Sequence, residues 1–271
     1  MNVLSLFDGI SCGQIALDQL GIKVDNYYAS EIDENAIKIT KHNYPNTIHL
    51  GDVTNINANN LPTIDLLIGG SPCQDLSVAM KNREGLEGQK SKLFFEYIRV
   101  FKETNPKYFL FENVGGMKEE DKNIISNLFG VAPIKINSQL VSPALRNRLY
   151  WTNIPNVKQP SDKKIKLQDI LESGYTDREK ARALLSSDSR PLTTKSRMMH
   201  RYRSTGFTTL IFENPNFTEE SCRYMTQTEL ERCMTIPDGY TKIVSRNQAA
   251  HHLGNGWTVE VIKHIFKNME V

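Results

Sequence analysis

Cysteine is scarce in this chain of 271 residues: there are four, Cys12, Cys73, Cys222 and Cys233, and no C-x-x-C pair among them. That spacing excludes a disulfide framework and offers no zinc-ligand pattern, so each thiol is expected to be free, in a reducing compartment, with no bound metal. Long apolar runs are missing too. None approaches the roughly 20 residues needed to cross a bilayer, and a soluble protein with no membrane partner is expected. The beginning, MNVLSLFDGIS, lacks a basic leader and sets Asp8 where a secretory signal would be apolar, so export is not expected. Charge of one sign is also lacking, with 33 basic residues against 31 acidic ones. A net charge of +2 does not announce a polyanion partner, and local charge has to be read instead. Repeats and low-complexity tracts are absent. What remains is a 39% hydrophobic fraction, enough for a substantial core.

The first half alternates two periodicities. Residues 2–7, 24–30, 64–68 and 108–111 are short and largely apolar, as strands buried on both faces are. Residues 15–20, 34–43 and 93–101 carry the 3.6-residue spacing of helices. Repeated β-α-β units predict an α/β, doubly wound, mostly parallel sheet covered by helices on each side. After Trp151 the pattern breaks into proline- and lysine-rich sequence, predicting a second, smaller and less regular domain. Helical spacing resumes at 228–234 and 258–269.

Ligands of a doubly wound sheet sit at the carboxyl ends of its strands. The first tip is Phe7-Asp8-Gly9-Ile10-Ser11-Cys12-Gly13. Its two glycines permit close backbone approach to a ligand, but their spacing is not that of a dinucleotide fold, and the turn alone reads equally well as structure. The second tip carries Glu31, suited to accept from both ribose hydroxyls, and the third carries Asp52, suited to accept from an adenine amine. Either acid alone is more often a helix cap. Together the three tips favour an adenosyl ligand, and without a phosphate cradle they favour S-adenosylmethionine over a nicotinamide cofactor.

The fourth tip is Gly69-Gly70-Ser71-Pro72-Cys73-Gln74-Asp75-Leu76-Ser77. Free cysteine is usually an inert buried thiol. Cys73, at the active edge beside a proline, is nevertheless the best nucleophile candidate of the four. The next strand ends in Phe111-Glu112-Asn113-Val114, which brings a carboxyl group to the same edge. Arg146 and Arg148 stand two apart, on one face if their segment is a strand. They read as surface charges, or as holders of a phosphate and a base oxygen.

The ordered set FDGISCG, SEID, GDV, GGSPCQDLS, FENV, LRNR and LGNGWTV resembles the motif series of DNA cytosine-5 methyltransferases, over nearly the whole chain from Leu4 to Phe266. KLFFEYIRVF, FENVGGM, VSPALRNRLYW, KLQDILESG and RPLTTKS resemble more closely the catalytic domain of eukaryotic de novo enzymes. Gln74 and Asn255 instead match the bacterial pattern.

The resemblance implies a Rossmann-like S-adenosylmethionine-dependent fold, with 1–154 plus 226–271 as the cofactor and catalytic domain and 155–225 as a small target-recognition domain. It implies cofactor contacts at Phe7, Asp8, Gly9, Ser11, Glu31, Ile32, Asp52, Val53, Asn255 and Trp257. For the chemistry it implies a Cys73 thiolate adding to carbon 6 of a flipped-out cytosine, and Glu112 at ring nitrogen 3 and the exocyclic amine. Arg148 is then the donor to the base carbonyl, and Arg146 serves the DNA backbone or orients the pocket. Residues 78–92 suit a mobile loop closing over the base. The partner is double-stranded DNA. Arg190, Thr194, Lys195, Ser196, Arg197, Arg201 and Arg203, in a stretch free of acid, are expected to contact it. Lys195 and Arg197 would help choose the target, and Arg201 and Arg203 would hold phosphates. Asn, Lys and Ile usage suits an AT-rich bacterial or phage genome, and the cytoplasm of a bacterial or phage-infected cell is the expected location, with a nucleus as the alternative for a eukaryotic source. A restriction-modification role is one possibility among several. A transfer-RNA methyltransferase and a catalytically silent DNA-binding regulator are the competing readings. The sequence around Pro72-Cys73 argues against the first, and retention of both Cys73 and Glu112 argues against the second.

Overall fold

The computed structural model describes residues 1–72, 93–185, 189–206 and 208–270. Cys73 and the segment 78–92 therefore lie outside the described residues. Along the chain run β1 (Asn2–Leu6), α1 (Cys12–Gln19), β2 (Asn26–Ser30), α2 (Glu34–Asn43), β3 (Ile48–His49), β4 (Leu66–Gly69), α3 (Leu93–Thr104), β5 (Tyr108–Val114), α4 (Glu119–Phe129), β6 (Ile134–Asn137) and β7 (Asn147–Thr152). Then follow α5 (Lys195–Thr205), β8 (Ile211–Phe212), β9 (Cys222–Arg223), α6 (Gln227–Cys233), α7 (Arg246–Asn255) and α8 (Val259–Phe266).

Seven strands form one sheet in the order β3-β2-β1-β4-β5-β7-β6. β1 pairs in parallel with β2 and β4, β2 with β3, and β4 with β5. β7 runs antiparallel to β5. This is the expected doubly wound sheet. β1, β4 and β5 are buried and largely apolar, as strands covered by helices on both faces are. On one side α3 inserts Phe94 and Tyr97 against Phe111, Phe129 and Trp151, all buried. The Tyr97 hydroxyl is fully buried and donates to the Leu110 carbonyl at 3.0 Å, which fixes α3 over the β4–β5 seam.

Local chemistry explains most helix boundaries. Asp33 accepts from the amides of Asn35 and Ala36 and starts α2. Reciprocal capping boxes, Thr226 with Glu229 and Ser245 with Gln248, start α6 and α7. Ser11 behaves differently. It has a left-handed backbone (φ 57°) and does not cap α1. Its hydroxyl bonds Asp8 and Thr40 instead.

Contacts divide the chain into two compact units, Met1–Ile136 with Asn147–Gln159 and Ile262–Val271, and Asn137–Arg146 with Pro160–Val261. The second differs in extent from the 155–225 expected for a small domain. Backbone hydrogen bonds account for the part that reaches back: Lys163 N–H donates to Leu140, Leu145 to Ala181, and Ala181 to Pro143. Within this unit α5 buries Met198, Met199 and Tyr202 against Leu210, Phe212 and Cys222 of the β8–β9 region. The acid-free basic stretch expected to contact DNA is thus helical from Lys195 onward. Nothing between Thr194 and Gly206 breaks a helix, Thr194 caps it, and Gly206 ends it with a left-handed φ of 64°. Glu231, fully buried, replaces water with the amides of Gly239 and Thr241 and the Thr241 hydroxyl.

Gly69 closes β4 where the strand tips are most crowded. A Cβ there would lie 2.6 Å from the Leu6 carbonyl oxygen and 3.0 Å from the Tyr97 ring, so β1 or α3 would have to yield. Gly69→Ala is expected to cost about 1–3 kcal/mol of stability. A urea melt checks this, and an unchanged midpoint would show that β1 and β4 can part freely at this edge.

Candidate active site

The turn after β1 holds three left-handed residues within five positions: Phe7 (φ 56°), Gly9 (φ 57°) and Ser11 (φ 57°). For Phe and Ser this conformation is costly, and such strain persists where the surroundings over-determine it. Here they do. Asp8 N–H donates to the Ser30 carbonyl at 3.0 Å, Gly9 N–H donates to Glu31 Oε2 at 2.8 Å, and Tyr27 donates from its hydroxyl to Asp8 Oδ1 at 2.8 Å. The β1 and β2 tips are therefore bonded into one surface.

Glu31 is fixed on both oxygens. Oε2 takes Gly9, and Oε1 accepts from the amides of Ile32 and Asp33 at 2.8 and 2.9 Å. Asp52, at the β3 tip, accepts through Oδ1 from the amide and hydroxyl of Thr54, both at 2.9 Å. Val53 behind it is buried, while Ile32 is 71% exposed, an unusual position for a large apolar side chain. Among the described residues no cation pairs with Asp8, Glu31 or Asp52. Burial pushes the Asp8 carboxyl up to about 6 in spite of its hydroxyl donors, and the nearby Glu31 carboxylate adds to the rise. Three carboxyl groups without a counter-ion, together with a glycine whose Cβ direction is open at Gly9, fit a ligand that carries positive charge, ribose hydroxyls and an amino-substituted base.

Two strands along, Glu112 and Arg148 meet across the antiparallel β5–β7 pair. The register sets Glu112 opposite Tyr150 and Val114 opposite Arg148, so the two are diagonal neighbours on one face. Arg148 Nε lies 2.7 Å from Glu112 Oε1, and Nη1 donates to the Asn147 carbonyl. Glu112 is 8% exposed. Asn113, next to it, donates to Ser71 at 3.5 Å, just ahead of Cys73 in sequence.

Arg146 does not share that face. It precedes β7, belongs to the second unit and is buried, donating to the carbonyls of Gly254 at 3.1 Å and Gly256 at 2.7 Å. It thus binds the carboxyl end of α7, where cations are favoured. It holds the turn that carries Asn255, exposed and 3.3 Å from His251 Nε2, and Trp257, half-buried. The spacing of Arg146 and Arg148 could not reveal this, because β7 begins between them.

Of the expected DNA-contacting residues, Arg190, Thr194, Lys195, Ser196, Arg197 and Arg203 are exposed and Arg201 is half-buried. Thr194 is occupied as the cap of α5, and the Lys195 ammonium is drawn to the Glu220 carbonyl. Among the described residues there is no cluster of His, Cys, Asp and Glu that could hold a metal ion, and no helix long and apolar enough to cross a membrane.

The raised Asp8 carboxyl carries a pH signature. Its folded value, about 6, exceeds the ordinary 3.8, so the folded state holds the proton more tightly. Stability is therefore expected to fall as pH rises from about 4 to about 6, by on the order of 3 kcal/mol from this group. Asp8→Asn should remove that slope, which urea melts of both proteins at pH 4.5 and 7 would compare. An identical slope in the variant would mean that Asp8 titrates normally.

A family model for C-5 cytosine-specific DNA methylases matches residues 1–135 and 142–271. The orphan methyltransferase M.SPRI of Bacillus phage SPR is 37% identical over 191 residues, which is 64% of this chain and 43% of that protein. The type II methyltransferase M1.ScrFI of Lactococcus lactis subsp. cremoris is 30% identical over 311 aligned positions, covering 99% of this chain and 77% of the relative. The chain spans under half the length of the two phage proteins it matches, the second being M.Rho11sI of Bacillus phage rho11s, with 32% covered. Among solved structures, the methyltransferase EhMeth of Entamoeba histolytica superposes with a TM-score of 0.78 at 17% identity, covering 99% of this chain and 97% of that one. A DNA modification methyltransferase of an Escherichia coli prophage, described as putative, superposes at 0.68 with 22% identity, covering 99% and 98%. At these identities the superpositions speak for the fold alone. The family model, matched along almost the whole sequence, speaks for more: this chain belongs to the C-5 cytosine-specific DNA methylase family.

Proposed function

We propose that the protein transfers a methyl group from S-adenosylmethionine to carbon 5 of a cytosine in double-stranded DNA. The observation that carries the reading is the Glu112–Arg148 pair at the carboxyl end of β5, a buried acceptor beside a multidentate donor. A cytosine offers the complementary edge: an amine and ring nitrogen for the carboxyl group and a carbonyl for the guanidinium. Arg148 keeps N–H groups beyond those directed at Glu112 and Asn147, and so can hold the base while it orients the acid.

Carbon 5 of cytosine is a poor nucleophile until carbon 6 gains an electron pair. Cys73 supplies it as thiolate, making the carbon 5 side of the ring an enamine. Glu112 favours protonation at ring nitrogen 3 as that charge develops. Loss of the carbon 5 proton then expels the thiolate and restores the ring. Within a duplex carbon 6 is shielded by stacking, so the base must swing out of the helix.

The cofactor, when bound, supplies an electrophilic methyl group on a sulfonium centre. Glu31 is suited to the ribose hydroxyls and Asp52 to the adenine amine, with Val53 and Ile32 as apolar walls. Asp8 and the turn Phe7-Asp8-Gly9-Ser11 meet the positively charged end. In this reading 1–154 with 226–271 binds cofactor and carries out the chemistry, 155–225 selects the target, and the cytoplasm is the site of action.

Cys73→Ala should abolish transfer yet leave cofactor affinity nearly intact, while Glu112→Gln should lower the rate roughly 10²–10⁴-fold. A duplex with 5-fluorocytosine at the target should trap the wild-type protein covalently, because no proton can leave carbon 5. Bisulfite sequencing and a denaturing gel shift read these outcomes, and full activity of Cys73→Ala would overturn the mechanism.

Glu31→Ala and Asp52→Ala should each weaken S-adenosylmethionine by about 1–3 kcal/mol in calorimetric titration. Unchanged affinity in both would leave the two acids as turn and helix caps.

A further inference from the structure

An open groove of about 380 Å³ lies along one side of α5, lined by Ser196, Met199, His200, Arg203 and Ser204 and by Glu219 opposite. Ser196, His200 and Arg203 fall at i, i+4 and i+7, one face of the helix. Met198 and Tyr202 point the other way, into the core. Arg197 and Arg201 stand on a flank, and Lys195 is engaged by the Glu220 carbonyl. Glu219 lies outside the run of basic residues and carries the opposite charge.

We propose that this groove reads a C·G base pair beside the target cytosine, with Arg203 toward guanine and Glu219 toward cytosine. The proposal rests on the reading that the protein acts on duplex DNA. A surface that only grips phosphates gains from every cation and loses from every carboxylate. α5 has no acidic residue, yet the groove it forms is completed by Glu219. Arg203 and Glu219 line the same groove, but among the described residues they form no ion pair with each other. Among the described residues neither charge enters an ion pair.

An acceptor and a forked donor facing the same space are matched by few ligands. The major-groove edge of a C·G pair is one. Guanine O6 and N7 accept from a guanidinium fork, and the cytosine N4 amine donates to a carboxylate. An α-helix fits the major groove, and Ser196, His200 and Ser204 add short donors and acceptors along the same face. Arg197 and Arg201, off that face, are left to hold phosphates. This assigns the choice of base to Arg203 and Glu219 rather than to Lys195 and Arg197.

The test uses binding, so that it does not depend on methyl transfer. The full chain is incubated with S-adenosylmethionine and a pool of duplexes randomised around one cytosine, and the retained duplexes are sequenced. Wild type should favour C·G at one position. Arg203→Lys, which keeps the charge and loses the fork, should reduce that preference roughly 5- to 150-fold. Glu219→Gln should move the preference at the same pair toward adenine, which an amide reads. Arg197→Ala should weaken all duplexes alike and lower the salt slope by about one. Cofactor titration of each variant checks that it is folded. If Arg203→Lys and Glu219→Gln retain the wild-type preference, or lose affinity uniformly, the groove does not read bases and the proposal falls while the enzymatic reading stands. If wild type retains no duplex at all, both fall.

Discussion

Parallel pairing of β1 with β2 and β4, and of β4 with β5, sends four strand ends to one edge of one sheet. Everything chemical in the first unit depends on that polarity. Residues far apart in sequence, Asp8, Glu31, Ser71 and Glu112, reach the same rim because each follows or ends a strand running the same way. The rim is then stitched crosswise by short bonds such as Gly9 to Glu31. Burial of the sheet on both faces supplies the driving force, and the aromatic packing of α3 against β5 and α4 keeps the layers from sliding.

The antiparallel β7 gives that edge its second kind of residue. A parallel strand beside β5 would bring only its own carboxyl end to the rim. β7 enters from the opposite direction and brings its beginning, with Arg148, against Glu112. Donor and acceptor are thereby fixed by ladder register, which no loop rearrangement can shift without breaking strand pairing.

Much of this was legible in the sequence. Strands with apolar runs, the α2 boundary at Glu34 and Asn43, and the acids at the tips were readable because propensity, capping and burial all agreed there. The reading failed where signals competed. Charge in 195–205 masked the apolar stripe of Met198, Met199 and Tyr202, and the helix that carries it was not among the expected elements. Arg146 and Arg148 share a short motif but serve different units, since sequence spacing carries no information about where a strand begins. Glu219 was invisible because a single carboxylate has no local pattern, and its meaning comes only from the helix that folds beside it. Glu231 likewise reads as a surface acid on α6, whereas the 237–241 turn encloses it.

Arg146 joins residues 108 and 110 positions further along the chain, at Gly254 and Gly256. It acts as a noncovalent clasp on the loop between them. Once such a loop is closed, doubling its length costs only about 0.6 kcal/mol more in chain entropy. The part of that sequence that follows β7, α5 and its groove included, can therefore be lengthened, shortened or exchanged with little strain on the clasp. A scaffold built in this way can keep its chemistry constant while the stretch between β7 and α7 varies.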